Sequence, residues 1–152
     1  MLDWDYSTLV EKLLEEVGCE ITLPLTWSNF FQQSGPLPSA PGDKRRHQRV
    51  RVRVPGLMYF EQRLPCLDRP CVPTMIFTAD FSRRGVGLIA AEQIYPEEVL
   101  RIVLPTFWGT IRVVRCHLIG ESCYSVGGRL IARRDPDVKA FELPRRATAQ
   151  AC

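Results

Sequence analysis

The sequence predicts a mainly β protein, built as a small antiparallel barrel or sandwich, with one amphipathic helix near its N-terminus. Two patterns carry this prediction. From residue 49 onward, short runs rich in β-branched and aromatic residues alternate with turns marked by Pro and Gly. Before that, apolar residues within 5–17 recur three and four positions apart, which is the spacing of a helix with one apolar face.

The predicted helix has start and stop signals as well as an apolar stripe. Thr8 and Glu11 fit a capping box. Asp5 and Ser7 are alternative caps, and Gly18 is suited to end the helix. The apolar stripe consists of Tyr6, Leu9, Val10, Leu13, Leu14 and Val17. Such a stripe usually packs on the body of a domain, and docking to a partner or self-association is the alternative.

Residues 21–42 differ in character from the helix that precedes them. A short extended piece interrupted by Pro24 is followed, from Gln32 to Gly42, by the Pro, Gly and Ser content of a linker. We therefore expect residues 21–42 to lead, as a mobile chain, into the basic stretch that comes next.

The β-rich part begins with the strict alternation Arg49–Val54, which places three valines on one face and three arginines on the solvent side. Further strands are predicted at 57–62, 72–79, 86–90, 98–105, 110–119 and 122–132. A turn is expected around Trp108 and Gly109, and a short helical segment within residues 135–142. Residues 142–152 are expected to form a tail.

The composition is that of a soluble folded domain with short extensions: 152 residues, 45% hydrophobic and 24% charged. The net charge of +3 is small, but the charges are unevenly distributed. Within 1–20 every charged residue except Lys12 is acidic, whereas 44–53 hold Lys44 and five arginines with no acid. The N-terminus lacks the features of a signal peptide, and no apolar run is long enough to span a membrane. We therefore expect a cytoplasmic protein with reduced thiols.

The six cysteines and two histidines form no familiar metal-binding or catalytic pattern. Cys66 and Cys71 are the closest pair, and no second close pair of Cys or His completes a tetrahedral set. Free thiols are expected, with neither a metal nor a cofactor. His47 and His117 have no placed partner for acid–base or nucleophilic chemistry. We expect a receptor rather than an enzyme.

The basic stretch at 43–49, Asp-Lys-Arg-Arg-His-Gln-Arg, places Arg45 and Arg49 in an Arg-x-x-x-Arg spacing. Guanidinium groups are planar, permanently charged and fork-shaped, so they pair with phosphate oxygens and also stack on flat rings. Taken alone, such a stretch is most often solvated surface.

A second stretch, Asp80-Phe-Ser82-Arg-Arg-Gly85-Val-Gly87, connects two predicted strands. Asp and Ser favour turns because their side chains bond to nearby backbone, and glycines allow a ligand to approach the backbone closely. Guanine presents two adjacent N–H donors, and a carboxylate can accept hydrogen bonds from both. Taken alone, this stretch is a hairpin turn.

The two stretches together are more specific than either one. An Arg-x-x-x-Arg motif followed in this strand context by Asp-x-Ser-x-x-Gly resembles the PilZ domain, a family of bacterial receptors for cyclic di-GMP. The resemblance covers about residues 43–141 and includes Gly127 to Leu130. It leaves out the helix within 1–20, the linker at 21–42 and the tail at 142–152.

The resemblance implies a six-stranded antiparallel β-barrel that binds cyclic di-GMP and relays the signal to a partner by a conformational change. Arg45 and Arg49 would contact phosphate and stack on guanine, with Arg46 as a further phosphate contact. The residues implied to shape the guanine pocket are Asp80, Ser82, Gly85 and, with weaker support, Gly87.

Two alternatives remain at this point. One is a protein-interaction module of the same fold that binds no nucleotide. The other is a nucleic-acid binder that uses the basic arm; a carboxylate at residue 80 would repel a phosphate backbone, which places this alternative last.

Overall fold

Eight strands and one α-helix are formed by residues 5–36 and 49–144, the residues that the structure, a computed structural model, describes. The helix is α1 (Tyr6–Val17), and single 3-10 turns lie at Leu25–Trp27, Phe30–Gln32 and Val138–Phe141. The strands are β1 (Gly35–Pro36), β2 (Val50–Arg51), β3 (Pro55–Gln62), β4 (Thr74–Phe81), β5 (Gly85–Ala90), β6 (Val99–Val103), β7 (Trp108–Gly120) and β8 (Cys123–Arg134).

Strands β3 to β8 form a closed antiparallel barrel. Their order is β4-β3-β6-β7-β8-β5, and the pairing of β4 with β5 closes the ring. The expected six-stranded antiparallel barrel is therefore confirmed, and each predicted barrel strand lies within a few residues of its predicted bounds. Closure pairs both edges of a strand, which removes the exposed edges that an open sheet would carry.

Alternate residues of the six strands fill the barrel, as the period of two along a strand requires. The interior includes Met58, Phe60, Ile76, Val86, Leu88, Ala90, Leu100, Ile102, Ile111, Val113 and Val126. Most of these side chains are almost completely buried, so the barrel interior is a packed core.

Helix α1 packs on the outside of the barrel. Tyr6 and Val10 are buried against the outer face of β3 and the turn at Val138–Phe141. The prediction that the apolar stripe packs on the domain body is thereby confirmed. The carboxylate of Asp5 caps the helix by accepting a hydrogen bond from the Ser7 amide at 3.1 Å. Hydrogen bonds from Thr8 and Ser7 lower the pKa of Asp5.

A second patch of outer barrel surface is covered by residues 21–36. Ile21 and Phe30 are buried against β4 and β5, and β1 pairs with β2, which in turn pairs with β4. Segment 21–36 is thus packed on the barrel, although its composition led us to expect a mobile linker over 21–42. The segment packs because its apolar side chains are buried against the barrel, and its Pro and Gly content gives no indication of this burial. Residues 37–42 lie outside the described residues.

The alternating stretch before β3 differs from its prediction in two ways. Only Val50–Arg51 forms a strand, and Val50 and Val52 are 39% and 40% exposed. The arginines are the less exposed side chains, because Arg49 pairs with a carboxylate and Arg53 lies over the Phe30 ring at 4.4 Å. The ion pair of Arg49 and the cation–π contact of Arg53 bury these side chains, although the alternating pattern predicts that they face the solvent.

Two further segments complete the comparison with the predicted elements. Trp108 and Gly109 begin β7 rather than forming a turn, and the chain reverses before them, where the Leu104 amide donates to the Phe107 carbonyl at 2.9 Å. The expected C-terminal helical segment is confirmed at Val138–Phe141. Within the described residues, no helix combines the length and apolar character needed to cross a membrane.

Candidate functional site

Strand β2 brings the end of the basic stretch to the second motif. Val50 pairs with Phe81 and Arg51 pairs with Asp80, so the residue just before β2 lies beside the end of β4. Arg49 Nε donates to Asp80 Oδ1 at 2.9 Å, and Arg49 Nη2 donates to the same oxygen. The two side chains are 18% and 14% exposed, so this ion pair is largely removed from solvent.

The geometry of this pair leaves an acceptor available. Both Arg49 donors are directed to Asp80 Oδ1, and Oδ2 accepts no hydrogen bond from the described residues. A carboxylate has about four acceptor positions on its two oxygens. Asp80 is therefore held in place by Arg49 and still able to accept from a second group.

Asp80 lies within β4 rather than in the turn where its sequence context placed it. It pairs with Arg51 on one side and with Gly87 on the other, and a register shift lies between Thr78 and Asp80. A Cβ atom at residue 87 would be 2.9 and 3.0 Å from the two carboxylate oxygens. Gly87 thus provides the space that the Asp80 carboxylate occupies.

The turn that follows β4 is closed by Ser82 and Gly85. The Ser82 amide donates to the Gly85 carbonyl at 2.9 Å, and the Gly85 amide donates to Ser82 Oγ at 3.0 Å. The Leu130 amide donates to the Arg84 carbonyl at 2.8 Å, which ties the turn to β8. Ser82 therefore shapes the turn, and its hydroxyl proton remains free to donate.

Two glycines lie opposite each other on neighbouring strands of the barrel wall. Gly87 of β5 pairs with Gly127 of β8, and Gly127 pairs with Arg115 of β7. A Cβ atom at residue 127 would be 2.9 to 3.0 Å from atoms of the Arg115 side chain. The Asp80 carboxylate and the Arg115 guanidinium therefore lie over neighbouring glycines, at opposite ends of one row. We call this row, Asp80, Gly87, Gly127 and Arg115, the glycine shelf.

A groove of about 300 Å³ lies next to the glycine shelf. It is lined by Arg49, Ser82, Arg84, Gly85, Val86, Val114, Arg115, Gly127, Gly128 and Arg129. Four of these residues are arginines and none is acidic, so the groove favours an anion. Asp80 and Gly87 do not line it; Asp80 adjoins it through Arg49.

The packing of the N-terminal segment reaches this site through Arg53. Its guanidinium donates to the Ala79 carbonyl at 3.4 Å, to the Phe30 carbonyl at 3.5 Å and to Gln33. Burial lowers the pKa of Arg53, the nearby charge of Arg51 adds to this effect, and Asp80 opposes it. Arg53 therefore links segment 21–36 to Ala79, the residue that precedes Asp80 in β4.

The structure brings together five of the seven residues that the sequence proposes for the site: Arg49, Asp80, Ser82, Gly85 and Gly87. Arg45 and Arg46 lie outside the described residues. Sequence reasoning missed Arg84, Arg115 and Arg129. The Gly127–Gly128 pair is the sequence signal that points to this part of the groove, because adjacent glycines in a strand often mark a close approach to the backbone.

A larger groove of about 700 Å³ lies near the Val138–Phe141 turn. Its lining mixes carboxylates with basic groups, and one of those, Arg101, already pairs with Glu61 at 2.5 Å and with the Ala140 carbonyl at 2.8 Å. This groove has no excess of one charge sign. The smaller groove beside Arg49 is the better anion site.

The described residues contain no group of three or more His, Cys, Asp and Glu side chains that could hold a metal ion. Cys19, Cys66, Cys71, Cys116 and Cys123 are free thiols. Comparison with known proteins adds nothing to the site: no family model, no curated protein and no solved structure matches this chain.

Proposed function

We propose that this chain is a PilZ-type receptor that binds cyclic di-GMP in the groove beside Arg49. The observation that carries the proposal is the Arg49–Asp80 pair, which joins the two sequence motifs with Nε 2.9 Å from Oδ1 and leaves Oδ2 available. The ligand needs anion donors, a carboxylate for guanine and a planar group that stacks on its rings. The arginines of the groove, together with Asp80, offer these three kinds of group.

Each part of the ligand has a complementary group in the site. Asp80, held over Gly87, accepts from the guanine N1–H and N2–H groups. Arg49, with Arg45 and Arg46 as further candidates, pairs with phosphodiester oxygens and stacks on a guanine face. Arg115 and Arg129 line the same groove and add positive charge there. A phosphate bound in the groove would lie among several arginines.

The energetics support binding in the micromolar range or tighter. A hydrogen bond to a charged group contributes about 1.5–3 kcal/mol, and a desolvated cation–π contact adds about 2 kcal/mol. A dissociation constant of 1 µM corresponds to about −8 kcal/mol. Two arginines, one carboxylate and one stacking contact are therefore sufficient. Ligand binding next to Arg53 would be relayed to a partner through segment 21–36, which Arg53 anchors.

Isothermal titration of cyclic di-GMP into the full chain tests this proposal. We expect micromolar or tighter binding, and Arg49→Ala should weaken it at least about tenfold because a charged contact is lost. Arg133→Ala is the matched control, since Arg133 is a barrel arginine that does not line this groove. It should leave the affinity within about twofold.

The same titration separates the two alternatives. A folded chain that gives no heat with cyclic di-GMP would favour a protein-interaction module of the same fold. Affinity for DNA or RNA that falls steeply with salt and does not respond to Asp80→Ala would favour a nucleic-acid binder.

A further inference from the structure

A second groove, of about 450 Å³, lies between the C-terminal end of α1 and the start of β4. Its apolar lining includes Leu13, Val17, Met58, Pro73 and Met75, and its acidic lining consists of Glu16, Glu20 and Glu92. None of the residues that line it is basic. We call it the acidic groove. Glu16 and Glu20 belong to the acidic N-terminal part of the chain, which takes no part in the proposed nucleotide site.

Two of the three carboxylates of the acidic groove have no basic partner among the described residues, and the third shares its partner. Glu16 and Glu20 are exposed, and within 5–36 and 49–144 no Lys or Arg pairs with either of them. Glu92 lies 3.4 Å from Arg69, but the Arg69 guanidinium is shared with the buried Glu98. A concave surface with one sign of charge concentrates ions of the opposite sign.

The apolar lining of the acidic groove is accessible enough to accept a side chain. Leu13, Val17, Pro73 and Met75 are half-buried, and Val72 beside them is 59% exposed. Methionine side chains are flexible and polarisable, so they adapt to differently shaped apolar groups. An apolar side chain placed there would be surrounded by three carboxylates.

We propose that the acidic groove docks a basic amphipathic segment of a partner protein, with a large apolar residue in the groove and Lys or Arg beside it. Charge complementarity selects this occupant over a lipid or a second copy of the α1 surface. A neutral lipid would leave Glu16 and Glu20 without basic partners, and a second α1 surface would bring further carboxylates against them.

This docking surface is distinct from the nucleotide site and does not depend on it. Thr74 and Met75 at the start of β4 line the acidic groove, while Asp80 lies near the other end of the same strand. At about 3.3 Å per residue, the two sites are separated by about 15–20 Å along β4. Loss of cyclic di-GMP binding would leave this proposal untouched.

Met75 makes the test direct, because its half-buried side chain lines the acidic groove, whereas Met58 is 1% exposed and belongs to the barrel core. The full chain is labelled with ¹³C at the methionine methyl groups. The probe is a capped dodecapeptide of leucine and lysine with the pattern of an amphipathic helix. Its addition should shift the methyl resonance of Met75 most.

Matched variants and peptides decide the outcome. The double variant Glu16→Gln, Glu20→Gln should weaken peptide binding about fivefold at low salt, whereas Glu121→Gln, an exposed glutamate in the β7–β8 turn, should not change it. The same peptide with glutamate in place of lysine should not bind. The proposal is overturned if the Met75 methyl resonance does not shift, if both peptides bind equally well, or if the groove is already occupied by a second copy in a dimer.

Discussion

Gly87→Ala tests whether the position of the Asp80 carboxylate matters to the site. The added Cβ would lie 2.9 and 3.0 Å from the two carboxylate oxygens, closer than an ordinary contact of at least 3.4 Å. The carboxylate must therefore move by about 0.5 Å or rotate away. Because Arg49 donates to that carboxylate, its guanidinium has to follow.

The expected effect on stability is small and that on affinity is large. The group that must move is the end of a side chain, and replacing Gly by Ala within a strand gains about 0.5–1 kcal/mol of backbone entropy, so the net change should stay within about 1 kcal/mol. Loss of one charged hydrogen bond to guanine costs about 1.5–3 kcal/mol, which is roughly a tenfold to hundredfold loss of affinity.

Thermal unfolding and titration with cyclic di-GMP, measured on the same preparation, separate these two effects. Gly120→Ala is the matched control, because a Cβ at residue 120 meets nothing within 4 Å. It should leave the affinity unchanged and raise the melting temperature by a few degrees at most, through the same gain of backbone entropy. If Gly87→Ala keeps the melting temperature within a few degrees and the affinity within twofold, the Asp80 carboxylate is not part of the binding site, and the reasoning from the glycine shelf is refuted.

Three further predictions concern other side chains. Arg115→Ala should weaken cyclic di-GMP binding about fivefold to tenfold in titrations, whereas Arg112→Ala, on the same strand but outside the groove, should not. Glu98→Ala should lower the free energy of unfolding in urea by about 3–5 kcal/mol, because it leaves the buried Arg69 without the carboxylate that accepts from it at 2.8 and 2.9 Å; a loss under 1 kcal/mol would contradict this. Burial raises the pKa of the Cys123 thiol, so at neutral pH iodoacetamide should modify it far more slowly than the exposed cysteines, as followed by mass spectrometry, and equal rates would argue against a buried thiol.

The barrel was predictable because its strands carry strong local signals. Alternation of apolar residues and the turn residues between strands set the bounds of β3 to β8 to within a few positions. Closure into a ring was expected only from the family resemblance, since alternation alone fits a sandwich equally well. The helix was predictable from its stripe, and the choice of Asp5 as cap depended on which of several polar side chains reached the first amides.

The candidate site was predictable in part, because its motif residues are close in sequence to strand ends. Arg49 and Asp80 are 31 residues apart in the sequence, and the pairing of β2 with β4 brings them into contact. The position of Arg115 in the groove is not visible in the sequence, because it depends on its register opposite Gly127 and on a register shift between Val113 and Arg115. Register is a property of the paired strands rather than of either strand alone.

The packing of segment 21–36 was the hardest feature to predict. Its Pro and Gly content indicates a linker, yet Phe30 stacks on Trp27 with centroids 5.6 Å apart and lies beneath Arg53. The contact between Arg53 and Phe30 joins residues 23 positions apart in the sequence. No local pattern encodes such contacts, so composition alone gave the wrong expectation for this part of the linker.

Glycine amide resonances offer the most direct test of the central claim, that the groove beside Arg49 binds cyclic di-GMP. Gly85, Gly127 and Gly128 line this groove, and Gly87 lies under the Asp80 carboxylate. In ¹⁵N-labelled full chain, addition of cyclic di-GMP should shift these four amides most, while Gly18 at the end of α1 stays unchanged. Shifts confined to Gly18 and the acidic groove, or no shifts from a folded chain, would contradict the account.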